Sequence, residues 1–255
     1  MPETSQPSPA PTSVRDHAGG SRIERHRHID HQLVYASSGA AEVRTDTGCW
    51  IAPADRAIWI PAGHWHEHHF YGPTRFHCVA FHPGGAGDWT TPTVLATPAL
   101  VRELVITCSA PADLPEPELD RIQQVLLDQL RRSPRQQLSL PAARDERLRR
   151  ACALVEQDLT VVWTLATLGR RIGASERTLT RLFRAELAMT YPQWRTQLRL
   201  HRAVQLLAEG LPVTTVAGRC GWASASAFID VYREILGHTP GRSRRAGNRT
   251  PESAR

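Results

Sequence analysis

One local layout, written twice in the C-terminal half, constrains this chain more than any other feature. Leu165 to Ile172 reads as a short helix with Ala166 inside it, and Gly173 breaks it. Ser175 then stands where its hydroxyl can accept from a free backbone N–H of the next helix. That helix, Glu176 to Glu186, buries Leu179, Leu182 and Phe183. Thr190 to Gln193 is a capping-box pattern with Pro192 in the first turn. It opens a long helix to about Glu209, with Trp194, Leu198, Ala203, Leu206 and Leu207, ended by Gly210. The layout then recurs. Val213 to Cys220 is a short helix around Val216 and Ala217, Gly221 is the turn, and Ser224 or Ser226 caps a helix to Ile235 that buries Phe228 and Tyr232. Leu179 and Phe228 hold equivalent places 49 residues apart. Helix, tight glycine turn and capped helix form the helix-turn-helix arrangement. A further helix, Arg144 to Asp158, precedes both copies, with Leu148, Cys152 and Val155 on one face.

Charge separates the same half from the rest. Residues 144–255 hold 19 Arg and 10 acidic residues, net +9, while residues 1–143 hold 12 Arg and 15 acidic residues, net −3. A basic half beside a mildly acidic one suggests a polyanion partner, with an ordinary solvated surface as the alternative. All 31 basic residues are Arg, so every cationic contact has guanidinium geometry.

The second copy, VTTVAGRCGWASASAFIDVYREILGHTPGR, resembles the signature of AraC/XylS-type regulators: a buried Ala in the first helix, a Gly–aromatic turn, a Ser before an aromatic, and a closing Gly-x-x-Pro. The first copy is similar through Leu165, Ala166, Ser175, Leu179, Arg181, Phe183, Pro192, Arg199, Leu200, Ala203, Leu206 and Leu207. It departs at Ala188, where the family usually has Gly, a change tolerated if the backbone there avoids positive φ. The resemblance covers residues 144–245. It implies two recognition helices on one linking helix, entering successive major grooves about 34 Å apart. In the first, the outward positions are Arg177, Thr178, Thr180, Arg181 and Arg184; Arg can pair bidentately with guanine or hold phosphate. In the second they are Ala225, Ser226, Ala227, Ile229 and Asp230. Asp230 can accept from cytosine N4 or be repelled by phosphate. The first unit is therefore expected to carry most base readout and the second to act as a clamp.

Upstream the pattern is β-rich. Short strand candidates at residues 33–35, 41–44, 50–51, 57–60 and 77–81 are separated by Gly, Pro and Asp, as in a small barrel or sandwich. Glu116 to Arg132 is an amphipathic helix whose apolar face either packs on the barrel or pairs two copies of the chain. The expected division is a disordered tail over 1–18, a sensor domain over 19–95, a helical linker over 96–141 with Ser133 to Pro141 as polar spacer, a DNA-binding domain over 142–245, and a second disordered tail over 246–255.

Ten of the twelve His lie before residue 83. Gly20, His26, His28, Gln32 and Gly39 resemble the first cupin motif, with Gln in place of Glu; Pro61, Gly63 and His66 resemble the second, which departs at Asp55 and Phe70. The resemblance implies a cupin-like β-barrel. Residues i and i+2 of a strand face one way, so His26 and His28 are expected to point inward and to meet His66 from a later strand. Three imidazoles and the Gln32 oxygen would suit a divalent metal such as zinc, nickel or iron. The alternatives are a metal-free pocket for an organic effector and histidines that only pack. Trp50, Trp59 and Trp65 are expected to fill core.

The function expected is that of a sequence-specific DNA-binding transcription regulator whose N-terminal domain senses a small molecule or a metal. The competing class, a cupin metalloenzyme with a helical appendage, leaves the duplicated layout and the +9 charge unexplained. Candidate partners are double-stranded DNA, RNA polymerase, the effector and a second copy of the chain. Five Cys without C-x-x-C spacing fit a reduced, cytoplasmic protein, and no apolar run reaches the roughly 18 residues of a membrane span.

Overall fold

The structure, a computed structural model, describes residues 8–84, 89–111, 114–136 and 138–241. The first seven residues and the expected tail over 246–255 lie outside that range.

The β-rich half contains β1 (Ser13–His17), β2 (Arg22–His26), β3 (His31–Ala36), β4 (Ala40–Thr45), β5 (Gly48–Pro53), β6 (Arg56–Ile60), β7 (His66–Tyr71), β8 (Thr74–Phe81) and β9 (Thr93–Ala96). Two helices follow, α1 (Ala99–Ser109) and α2 (Glu116–Arg132), and then the short strands β10 (Arg135–Gln136) and β11 (Ser139–Pro141). They build two sheets instead of one closed barrel. One has the order β1-β8-β3-β6-β9-β10 and the other β11-β5-β4-β7-β2. Residues 13–17, expected in the tail, pair along β8 from His17 opposite Thr74 to Ser13 opposite Cys78. The expected polar spacer is stitched into both sheets, β10 onto β9 and β11 onto β5.

Helices cover the outer face of the larger sheet, which is why β3 and β6 are buried along nearly their whole length instead of alternating. Leu33, Tyr35, Trp59, Val79 and Phe81 pack there against Val101 and Val105 of α1 and Leu126, Leu127 and Leu130 of α2. The apolar face of α2 is therefore laid on the sheet, the first of the two roles open to it. His77 ties this layer together. Ser109 Oγ donates to the Ile106 carbonyl at 2.9 Å, so it accepts from His77 Nδ1 at 2.8 Å, leaving Nε2 to accept from Ser37 Oγ at 2.9 Å.

The C-terminal half is all α: α3 (Glu146–Gln157), α4 (Leu165–Ile172), α5 (Glu176–Leu187), α6 (Tyr191–Ala208), α7 (Val213–Arg219) and α8 (Ala225–Leu236). The local signals read from sequence are in place. Gly173 is left-handed at φ 75°, Ser175 accepts from the Thr178 N–H, Thr190 and Gln193 form the capping box, and Ser224 caps α8. Ala188 departs from expectation. It adopts the left-handed conformation at φ 53° and ψ 25°, so the backbone keeps the glycine geometry without the glycine.

The two halves share apolar contacts. The cluster that includes Val43, Ile51, Phe70 and Phe76 continues into Leu200, Ala203, Val204 and Leu207 of α6 and into Phe228 and Tyr232 of α8.

Candidate nucleic-acid interface and histidine site

α5 presents an open groove lined by Glu176, Arg177, Thr178, Thr180, Arg181, Arg184 and Ala185. Leu179, Leu182, Phe183 and Leu187 turn inward, which leaves Arg177, Arg181 and Arg184 exposed. None of the three forms an ion pair among the described residues. On α6, by contrast, Arg195 donates to the Val161 carbonyl at 2.9 Å, and Arg199 to the Gly221 carbonyl at 2.6 Å while lying over the Trp222 ring. An uncommitted row of cations on a capped helix is ready for an anionic partner. Thr178 and Thr180 are half-buried. Their hydroxyls engage locally, Thr178 with Ser175 Oγ and Thr180 with the Glu176 carbonyl, both at 2.9 Å.

α8 offers less. Ser226, Ala227 and Asp230 are exposed, Ile229 is half-buried, and Ala225 packs against the core. The nearest cation to Asp230 is Arg233 of the same helix, at 3.9 Å.

The histidines converge between the sheets. β2 pairs with β7 so that His26 stands opposite His66, with a bulge between Ile23 and His26. On β7, His66, His68 and Phe70 are buried while Glu67, His69 and Tyr71 are half-buried. Ligand atoms of His26, His66 and His68 all lie within 4.8 Å of one another. His26 Nδ1 is 2.6 Å from the Glu24 carbonyl and His66 Nδ1 is 2.9 Å from the His64 carbonyl. A ring that donates from Nδ1 keeps a free lone pair on Nε2, the arrangement that orients a metal ligand. His66 Nε2, His28 Nε2, His68 Nδ1 and Gln32 Oε1 are buried without a hydrogen-bond partner. Burial pushes the His66 pKa down to about 3 and that of His68 well below its ordinary value, so both rings are neutral at pH 7, the form that ligates.

The cluster that the fold brings together, His26, His66 and His68, differs from the motif-derived set. His28 ends up beyond the end of β2, next to Ser8, its ring 4.8 Å from that of His26 and 5.5 Å from that of His66. Gln32 lies on β3, in the opposite sheet. His68 was missed, although the signal that selected His26 and His28, an i, i+2 pair on a strand, is also present in His66 and His68. Of the three Trp, Trp50 and Trp59 are buried core, whereas Trp65 is half-buried beneath the guanidinium groups of Arg25 and Arg27.

The profile of the AraC-like ligand binding domain matches residues 9–154, more than half of the chain, and that of a helix-turn-helix domain matches residues 168–246. The HTH-type transcriptional regulator NimR of Escherichia coli (strain K12) is 34% identical over 233 residues, 89% of this chain and 84% of that protein. The HTH-type transcriptional regulator GadX of the same strain is 35% identical over 92 residues, 36% of this chain and 33% of that protein. Among solved structures, a DNA-binding transcriptional dual regulator from Escherichia coli K-12 is 32% identical with a TM-score of 0.38, over 42% of this chain and 98% of that one.

Proposed function

We propose a division of labour from the premise that the chain belongs to the AraC-type transcription regulators: it is a DNA-binding regulator with an N-terminal ligand-binding domain, in which α5 reads bases, α8 clamps, and the histidine site holds the effector. Both helix pairs, α4/α5 and α7/α8, act as helix-turn-helix units on successive major grooves. Three unpaired guanidinium groups on α5, against a single one on α8, Arg233, that lies 3.9 Å from Asp230, support unequal roles. The relatives named above are regulators, which favours this class over a metalloenzyme. A cytoplasmic protein acting as paired copies beside RNA polymerase completes the proposal, with Leu100 and Val125 exposed on α1 and α2 for contact between copies.

The effector proposed is a divalent transition metal, zinc, nickel or iron(II), held by His26, His66 and His68, with His28 and Gln32 as neighbouring donors. The observation that carries it is the approach of ligand atoms of His26, His66 and His68 to within 4.8 Å of one another, with His66 Nε2 and His68 Nδ1 buried and unpartnered. Unfilled, such atoms cost free energy; a metal or a hydrogen-bonding ligand satisfies them. A metal bound there would supply a crosslink between β2 and β7. A set without carboxylate favours these metals over magnesium or calcium. Metal analysis of the purified chain, with calorimetry against zinc, nickel and iron(II), tests this. His66→Ala and His68→Ala should each abolish binding. Absence of binding to the wild type removes the metal and leaves an organic effector in the same pocket.

A further inference from the structure

The sheet that bounds the histidine site has a second face, and that face is fastened to the DNA-binding half. On β7, His66, His68 and Phe70 point into the sandwich while Tyr71 points the other way. Its neighbour β4 is in register, with Val43 opposite His68 and Glu42 opposite His69, so Glu42 shares the outward face with Tyr71. Across that face lies α6, the helix that joins the two helix pairs.

Glu42 is fully buried, yet its carboxylate is saturated. Oε2 accepts from His201 Nε2 at 2.6 Å, from Gln205 Nε2 at 2.8 Å and from the Tyr71 hydroxyl at 3.1 Å, while Oε1 accepts from Arg44. Gln205 Nε2 is also 2.9 Å from the Tyr71 oxygen. His201 and Gln205 lie one turn apart on α6. The turn after β7 is pressed against the end of the same helix: Gly72 has φ +66°, and a Cβ there would sit 2.0 Å from the Ala208 carbonyl oxygen.

A buried carboxylate tolerates only its full set of partners, because losing one leaves an uncompensated charge. Opening the seam partway is therefore costly. Tyr71 is three positions on from His68, roughly 10 Å along a stiff strand at about 3.3 Å per residue. We propose that the Glu42–Tyr71–His201–Gln205 seam couples the two functions: occupancy of the histidine site moves β7, and β7 sets the placement of α6, and with it that of α5 and α8 on the duplex. This rests on the histidine site being the effector pocket.

Coupling of this kind is reciprocal. The test uses the full chain, wild type and as Glu42→Gln and Tyr71→Phe, with a duplex that the wild type selects from a randomised pool. Hydrogen exchange of residues 66–71 is measured with and without duplex, and nickel and zinc affinities are measured in both states. In the wild type the duplex should change exchange on β7, and should shift metal affinity by the same factor by which metal shifts duplex affinity, typically about 5- to 150-fold. In Glu42→Gln, or in Tyr71→Phe if the former does not fold, both effects should fall toward none while metal affinity without duplex stays within about threefold. Unchanged coupling in a folded variant, or a β7 that ignores the duplex in the wild type, overturns the proposal. A β7 that answers the duplex in a protein binding neither metal upholds the seam and removes the metal alone.

Discussion

Replacing Ala188 by Gly should stabilise the protein, and the size of the gain follows from one backbone angle. Ala188 ends α5 at φ 53° and ψ 25°, its N–H directed to the Phe183 carbonyl. An L-residue with a Cβ in this region costs about 1–2 kcal/mol relative to right-handed geometry. Gly removes that cost but frees the unfolded chain, a loss of about 0.4–1 kcal/mol. Ala188 is exposed, so no packing is sacrificed. The net gain is about 0.5–1 kcal/mol. At about 2–4 °C per kcal/mol for a chain of this size, Tm should rise by roughly 1–4 °C. Thermal unfolding followed by circular dichroism at pH 7.5 reads it directly. An equal or lower Tm would refute the reasoning, since the left-handed turn would then cost this chain nothing.

Arg181→Ala should weaken duplex binding by about 1–3 kcal/mol, concentrated at one base position if the contact is to guanine. A loss that is uniform across sequences, with a salt slope shallower by about one, would mark a phosphate contact instead. Asp230→Ala should leave affinity unchanged or raise it; a large sequence-dependent loss in a competition gel shift would remove the clamp role from α8. Burial holds His77 at a pKa of about 4, below its ordinary 6.5, so protons favour the unfolded chain and its stabilising contribution, whole above pH 6.5, drains away as pH falls toward 4. At pH 5 the loss is about 2 kcal/mol, and His77→Gln should therefore lose less stability than the wild type between pH 7.5 and 5 in urea titrations. A fragment starting at residue 142 should still bind the selected duplex at low salt, but should be less soluble than the full chain, because Leu200, Val204 and Leu207 lose their cover; failure of a folded fragment to bind would refute the domain assignment.

The helical half was legible because its signals are local. Ser175, Thr190 and Ser224 cap within three residues of their own position, and Gly173 and Gly221 stop helices by φ alone. Strand pairing is not local. β1 owes its existence to β8, some sixty residues on, and β11 to β5, so a polar tail and a polar spacer concealed both. β7 was expected only through the motif that places His66 on a strand: His-Glu-His-His-Phe-Tyr puts polar residues on its buried face, so the apolar alternation that announces a strand is missing. The helix α1, whose buried Val101, Val105 and Cys108 face the sheet, falls in the expected helical linker over 96–141, but its own bounds were not read.

The same contrast explains why the histidine site was half legible and the seam was not. The site is written in short spacings: His26-x-His28, and His66-x-His68 forty residues later. Which of those rings face one another is set by strand pairing, with β2 ending at His26 opposite His66. The seam joins Glu42 to a histidine 159 positions away, and nothing local to Glu42 distinguishes it from any surface acid on a half-exposed strand. What makes it exceptional is the layer it falls in. α6 closes one face of the smaller sheet just as α1 and α2 close one face of the larger, and a charge at that depth survives because the helix that joins the two helix pairs carries two of its partners, His201 and Gln205.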